Sequence, residues 1–186
     1  MTKIGGEDYG GHGNGLYEKD AALKIAKEIK ALSSQYGIDV VLTRDNDVFM
    51  SPKEKSDFAN AQNADAFISV HVNTATGNES ANVSGFEVYI QGKDSTLISK
   101  SRILGSSIIQ SLEPNFSIAA SLRQRQTGVW ILKNSVIPAA IIECGYITNA
   151  NDANNLKDDA KIELMAKNIL QGVATYANNK SDKSSS

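Results

Sequence analysis

Two short apolar runs constrain this chain more than anything else in it. "DAFISVHVN" (residues 65–73) and "IPAAIIECGYIT" (residues 137–148) are rich in β-branched residues and bounded by turn formers. Each reads as a strand buried on both faces. A third run, "IDVVLTRD" (residues 38–45), reads the same way. Between these runs lie stretches with helical spacing. In the first, Ala22, Ile25, Ala26, Ile29 and Leu32 recur among lysines from Glu18 to about Tyr36, and Gly37 fits the stop. Buried strands alternating with amphipathic helices predict an α/β fold, a three-layer sandwich with a mixed, mainly parallel sheet and helices on both faces.

The remaining elements follow from local signals. Ser51, Pro52 and Glu54 form a capping box with proline at the first helical position, so a short helix starts there. "TATGNESANVSG" is a polar loop, and "GFEVYIQG" alternates Phe86, Val88 and Ile90 with Glu87, Tyr89 and Gln91 as a half-exposed strand near an edge. Helices are expected over residues 96–112 and from about 158 to 176. Short strands are expected at residues 129–132 and 139–142, with a strand stub at residues 2–4. The polar stretch of residues 179–186 reads as a tail or linker after a single domain of residues 1–178.

The chain has 186 residues, enough for one core, and a net charge of -2, which lacks the footprint of a general nucleic-acid binder. No run reaches the length of a membrane span, and no charged-then-apolar leader opens the sequence. An excised domain, or a protein released by another route, is the expectation. Cys144 is the single cysteine, and there are two histidines, so a metal site would have to recruit carboxylates.

In parallel α/β sheets, sites form beyond the carboxyl ends of the strands. His71 ends one buried strand, Glu143 ends another, and Glu18 opens the first helix after a glycine-rich loop. Each has a plain reading: a hydrogen-bonded histidine, a carboxylate paired with a lysine, an acid favoured by the helix dipole. Their convergence on one rim favours a shared task. Cys144 is a small buried hydrophobe or, with His71 as base, a nucleophile. The glycine loop matches neither phosphate-binding fingerprint. Arg123 and Arg125 in "LRQRQTG" read as a solvated charge pair, with peptide carboxylates as the alternative partner.

The blocks "GNGLYEKDAALKIAKEI", "VVLTRDND", "ADAFISVHVN", "GFEVYI" and "TGVWILKNSVIPAAIIECGYITNANDANNL" occur in an order that resembles the zinc-dependent N-acetylmuramoyl-L-alanine amidases of the amidase-3 type, over residues 5–176. The resemblance implies a zinc ion (Zn2+) held by two histidines and a glutamate, with Glu18 and His71 as metal ligands and Glu143 as the catalytic carboxylate. It implies hydrolysis of the amide between N-acetylmuramic acid and L-alanine in peptidoglycan, at the cell wall, by a monomer without nucleic-acid or membrane partners. The family's first histidine ligand is expected directly before Gly5, where this chain has Ile4, and its first strand is central, so "MTKI" is expected to fill that place. His12 falls six residues before Glu18 and does not match the ligand position. Glu7, Asp8, His12 or water would have to complete the site. The alternative is an impaired or inactive relative that still binds peptidoglycan.

Overall fold

The computed structural model describes residues 5–6, 8–77, 80–91, 96–125 and 129–182. A two-residue hairpin comes first, β1 (His12–Gly13) and β2 (Leu16–Tyr17). Its turn residues Asn14 and Gly15 both have positive φ, the geometry that an Asn-Gly pair favours in a tight hairpin. Helix α1 (Glu18–Leu32) follows and tightens into a 3-10 turn, Ser33–Tyr36, ended by Gly37 in the left-handed region. Helix α2 (Pro52–Ala61) carries the expected capping box, with Ser51 and Glu54 satisfying each other's backbone N–H.

The main sheet contains β3 (Phe67–Asn73), β4 (Glu87–Gln91), β5 (Arg123–Arg125) and β6 (Ala139–Tyr146), in the order β3-β6-β4-β5. β3 pairs with β6 and β4 with β5 in parallel, while β4 and β6 are antiparallel. The sheet is therefore mixed and mainly parallel, as expected. Helices α3 (Thr96–Leu112), α4 (Trp130–Asn134), α5 (Ala150–Lys157) and α6 (Asp159–Asp182) complete the fold.

Strand parity assigns the two faces very different cover. Val88, Ile90, Ala140, Ile142 and Cys144 point into the large core with Ile25 of α1, Leu104 and Ile108 of α3, and Ile169 of α6. The opposite parity holds only a small cluster, in which Tyr89, Ala139 and Ile141 pack with Leu132 of α4. One face is closed by three long helices; the other is covered by short ones. Glu87 and Glu143 have the parity of the thinly covered face.

Several expectations are corrected. Residues 38–45 form no strand, although their composition is that of one. A strand needs a neighbour to bond its backbone, and among the described residues no ladder reaches this segment. Residues 129–132 belong largely to helix α4, and the extra strand is β5, seven residues earlier in its start than α4. β4 is neither half-exposed nor an edge strand: Glu87 and Tyr89 are buried, because β5 covers its outer side. β6 runs on to Tyr146, and α5 precedes the last helix, which ends at Asp182 rather than near Tyr176. The expected stub at residues 2–4 and the end of the tail, residues 183–186, lie outside the described residues.

Beside β3, on the side away from β6, lies a groove of about 880 Å³. Ala26 and Ile29 of α1, Val40 and Leu42 of the unpaired segment, Ile68 of β3 and Val173 of α6 line it, and its polar end carries Arg44, Lys55 and His71.

Candidate active site

The start of α1 and the ends of β3 and β6 meet on the thinly covered face. Their ladder places His71 opposite Glu143, and Glu87 opposite Glu143 on the other side, so three ionisable residues form a row across the sheet. Glu18 caps this row. It is 4% exposed, and its Oε1 lies 3.0 Å from His71 Nδ1. Its Oε2 accepts the Gly11 N–H at 2.9 Å. The glycine loop is thus a close wrapping around Glu18: a Cβ on Gly10 would sit 2.6 Å from Glu18 Oε2, and one on Gly11 would sit 2.0 Å from Thr74 Oγ1.

On its far side His71 Nε2 lies 3.0 Å from Ser69 Oγ. Nδ1 donates to the Glu18 carboxylate, and the serine hydroxyl can serve Nε2 as either donor or acceptor. Loop residues near α1 are anchored separately: Lys19 Nζ pairs with Asp47, and Arg44 Nη2 donates to the Lys19 carbonyl at 2.7 Å.

Glu143 is the group with an unfilled requirement. Its Oε2 is buried with no hydrogen-bond partner among the described residues. Burial pushes its carboxyl up to about 7, against the opposing pull of the His71 and Arg125 charges, while Glu18 and Glu87 push the same way as burial. Burial and the two neighbouring acids leave this carboxyl poised between its protonation states near neutrality.

Beyond Glu143 the row continues into a cluster absent from the sequence-level expectation. Glu87 is 3% exposed, and its Oε2 accepts from Tyr89 Oη at 2.7 Å, Tyr146 Oη at 3.0 Å and Asn73 Nδ2 at 3.1 Å. Its Oε1 pairs with Arg123 Nη2 at 3.1 Å. Tyr146 reaches this face because the ladder slips between His71 and Asn73, next to Gly145 at φ +100°. Burial and the bond to Glu87 push the Tyr146 phenol up to about 12, so it stays a donor. The polar alternations Ser69, His71, Asn73 along β3 and Glu87, Tyr89, Gln91 along β4 were the sequence signals for this face.

Glu18, His71 and Glu143 are therefore brought together. His12 is not: it is exposed in β1, with its ring 6.4 Å from that of Tyr17. The Asp8 carboxylate accepts from Gly10 N–H at 3.1 Å, and Glu7 lies outside the described residues. Among the described residues no group of three His, Cys, Asp or Glu side chains is arranged to hold a metal ion. Glu18 and His71 fall one donor short of the three protein ligands of a catalytic zinc, so this donor set does not by itself fit the ion. Cys144 has the opposite parity, is 1% exposed in the large core, and burial holds its thiol well above the usual range, which removes it as a nucleophile.

Fold and geometry alone define an α/β sandwich with a carboxylate–imidazole site beyond the carboxyl ends of its parallel strands. The sequence pattern described as N-acetylmuramoyl-L-alanine amidase matches residues 4–175, and the chain belongs to that amidase-3 family. It is similar to the endolysin of Bacillus phage SPP1, 34% identical over 94% of this chain, and to the N-acetylmuramoyl-L-alanine amidase LytC of Bacillus subtilis, 33% identical over 92% of it. The chain spans 63% of the endolysin's length and 34% of LytC's. Among solved structures it resembles an N-acetylmuramoyl-L-alanine amidase from Clostridium difficile 630, with a TM-score of 0.85 and 28% identity over 96% of this chain and 95% of that one. The amidase AmiC2 of Nostoc punctiforme gives a TM-score of 0.79 and 31% identity over 95% of this chain and 94% of that one.

Proposed function

We propose that the chain hydrolyses the amide between N-acetylmuramic acid and L-alanine in peptidoglycan, at the cell wall, with Glu143 as general base. The observation that carries this reading is the buried Glu143 oxygen without a partner among the described residues, next to the Glu18–His71 pair. A base is most effective with its pKa near the working pH, and burial puts Glu143 at about 7. The free oxygen is the acceptor for a proton from an attacking water. The same carboxyl, once protonated, is the donor for the departing amine.

Glu18 and His71 are the two side chains a zinc ion would draw on. Because they supply two donors, a second reading stands beside the first: a peptidoglycan-binding relative whose hydrolysis is impaired.

Glu143→Gln tests the base. Stem-peptide release from purified peptidoglycan should fall by about 100-fold or more, with zinc content unchanged. A variant that still releases stem peptide at the parent rate would remove Glu143 from this role. A parent chain that sediments with peptidoglycan but releases nothing, with or without added zinc, would establish the second reading.

A further inference from the structure

The row that begins at Glu18 ends at two arginines for which the proposed hydrolysis has no use. β5 is three residues long and lies parallel to β4, with Tyr89 opposite Arg123 and Gln91 opposite Arg125. Arg123 and Arg125 therefore share the face of Tyr89, Glu87 and Glu143. A solvated charge pair would need no foundation, yet this one has a deep one. Glu87 is 3% exposed and holds Arg123 while accepting from two tyrosines and an asparagine. The Arg123 side chain remains 51% exposed beyond that bond.

The Arg125 guanidinium stacks 4.2 Å from the centre of the Tyr89 ring, whose hydroxyl is itself fixed on Glu87. Arg123 thus takes the Glu87 carboxylate, and Arg125, held on the Tyr89 ring, has no carboxylate partner among the described residues. The surplus positive charge is preorganised and outward-facing.

We propose that Arg125, with Arg123 beside it, is an anion subsite that receives a carboxylate of the peptide portion of the substrate. β5 stands two strands away from β6, about 10 Å, and an extended peptide advances about 3.3 Å per residue. The carboxylate it takes belongs to the second or third residue counted from the cleaved amide. This rests on the proposed hydrolysis only for the position of the cleaved bond; anion binding itself needs no turnover.

The test uses a synthetic tetrapeptide with the stem sequence, made with that carboxyl group free and again as the carboxamide. Both are titrated calorimetrically against the parent chain, Arg125→Gln and Arg125→Lys. Rates are measured separately on the corresponding muramoyl peptides. The free acid should bind the parent about tenfold more tightly than the amide. That preference should vanish in Arg125→Gln and partly return in Arg125→Lys, with KM following the same pattern. Equal binding of acid and amide by the parent, or an undiminished preference in Arg125→Gln, overturns the subsite. Discrimination without hydrolysis keeps the subsite and removes the proposed function; hydrolysis without discrimination does the reverse.

Discussion

β6 and β3 lie side by side and carry the same kind of sequence, yet only one of them is a closed core strand. In β6, Ala140 and Ile142 are fully buried. In β3, residues 67–71 are all partly exposed, and Val72 alone is buried. The difference is in the neighbours. Among the described residues, β6 has β3 on one side and β4 on the other, while β3 has β6 and then the groove. Residues 38–43 on the far wall of that groove are as β-branched as either strand and form no ladder among the described residues. Composition makes a segment fit to be a strand, but a partner makes it one.

The sharpest way to break this comparison is amide hydrogen exchange within β3. Phe67 N–H donates to the Pro138 carbonyl, so alternation turns the N–H groups of Ser69 and His71 towards β6 and those of Ile68 and Val70 towards the groove. Ser69 should exchange slower than Val70 by on the order of a thousandfold, because the first opens only with the sheet. Equal protection along β3 would mean that the outer edge is covered in solution.

A mutational pair measures the same contrast energetically. Ile142→Ala removes a side chain buried at 0% exposure between α-helices and β4, and should cost about 3 kcal/mol or more in urea unfolding. Val40→Ala, on the groove wall, should cost under about 1 kcal/mol. Comparable losses would show that residues 38–43 are packed as tightly as β6.

The elements legible in the sequence were those with local signals. The capping box fixed α2, Gly37 closed α1, and the two apolar runs located β3 and β6. Residues 38–45 and 129–132 misled because their apparent strand character depended on partners that sequence periodicity does not reveal. α5 was hidden by its asparagines, one of which, Asn149, is in fact its cap, accepting from the N–H of Asn151 and Asp152. Glu18, His71 and Glu143 were readable as one site because strand ends share a rim. Ser69 and Glu87 required strand parity, and Tyr146 required the register slip beside Gly145, neither of which spacing alone supplies.

Glu143 stands where the two halves of the comparison meet, on the well-buried strand but facing the thin cover, and its titration measures how dry that position is. Burial raises its carboxyl from 4.5 to about 7 in the folded chain. A raised carboxyl means the folded state holds its proton more tightly than the unfolded one. Below about pH 4.5 both states are protonated and there is no penalty. Between 4.5 and 7 the unfolded chain ionises first, so stability falls as the pH rises, and above 7 the full penalty applies, on the order of 3 kcal/mol. Glu143→Gln removes this ionisation. With a chelator present to keep the protein metal-free, the variant should match the parent at pH 4 and exceed its unfolding free energy at pH 8. A gap that is the same at both pH values would show that Glu143 is hydrated in solution, and that the thin cover of α4 leaves this end of β6 as open as the outer edge of β3.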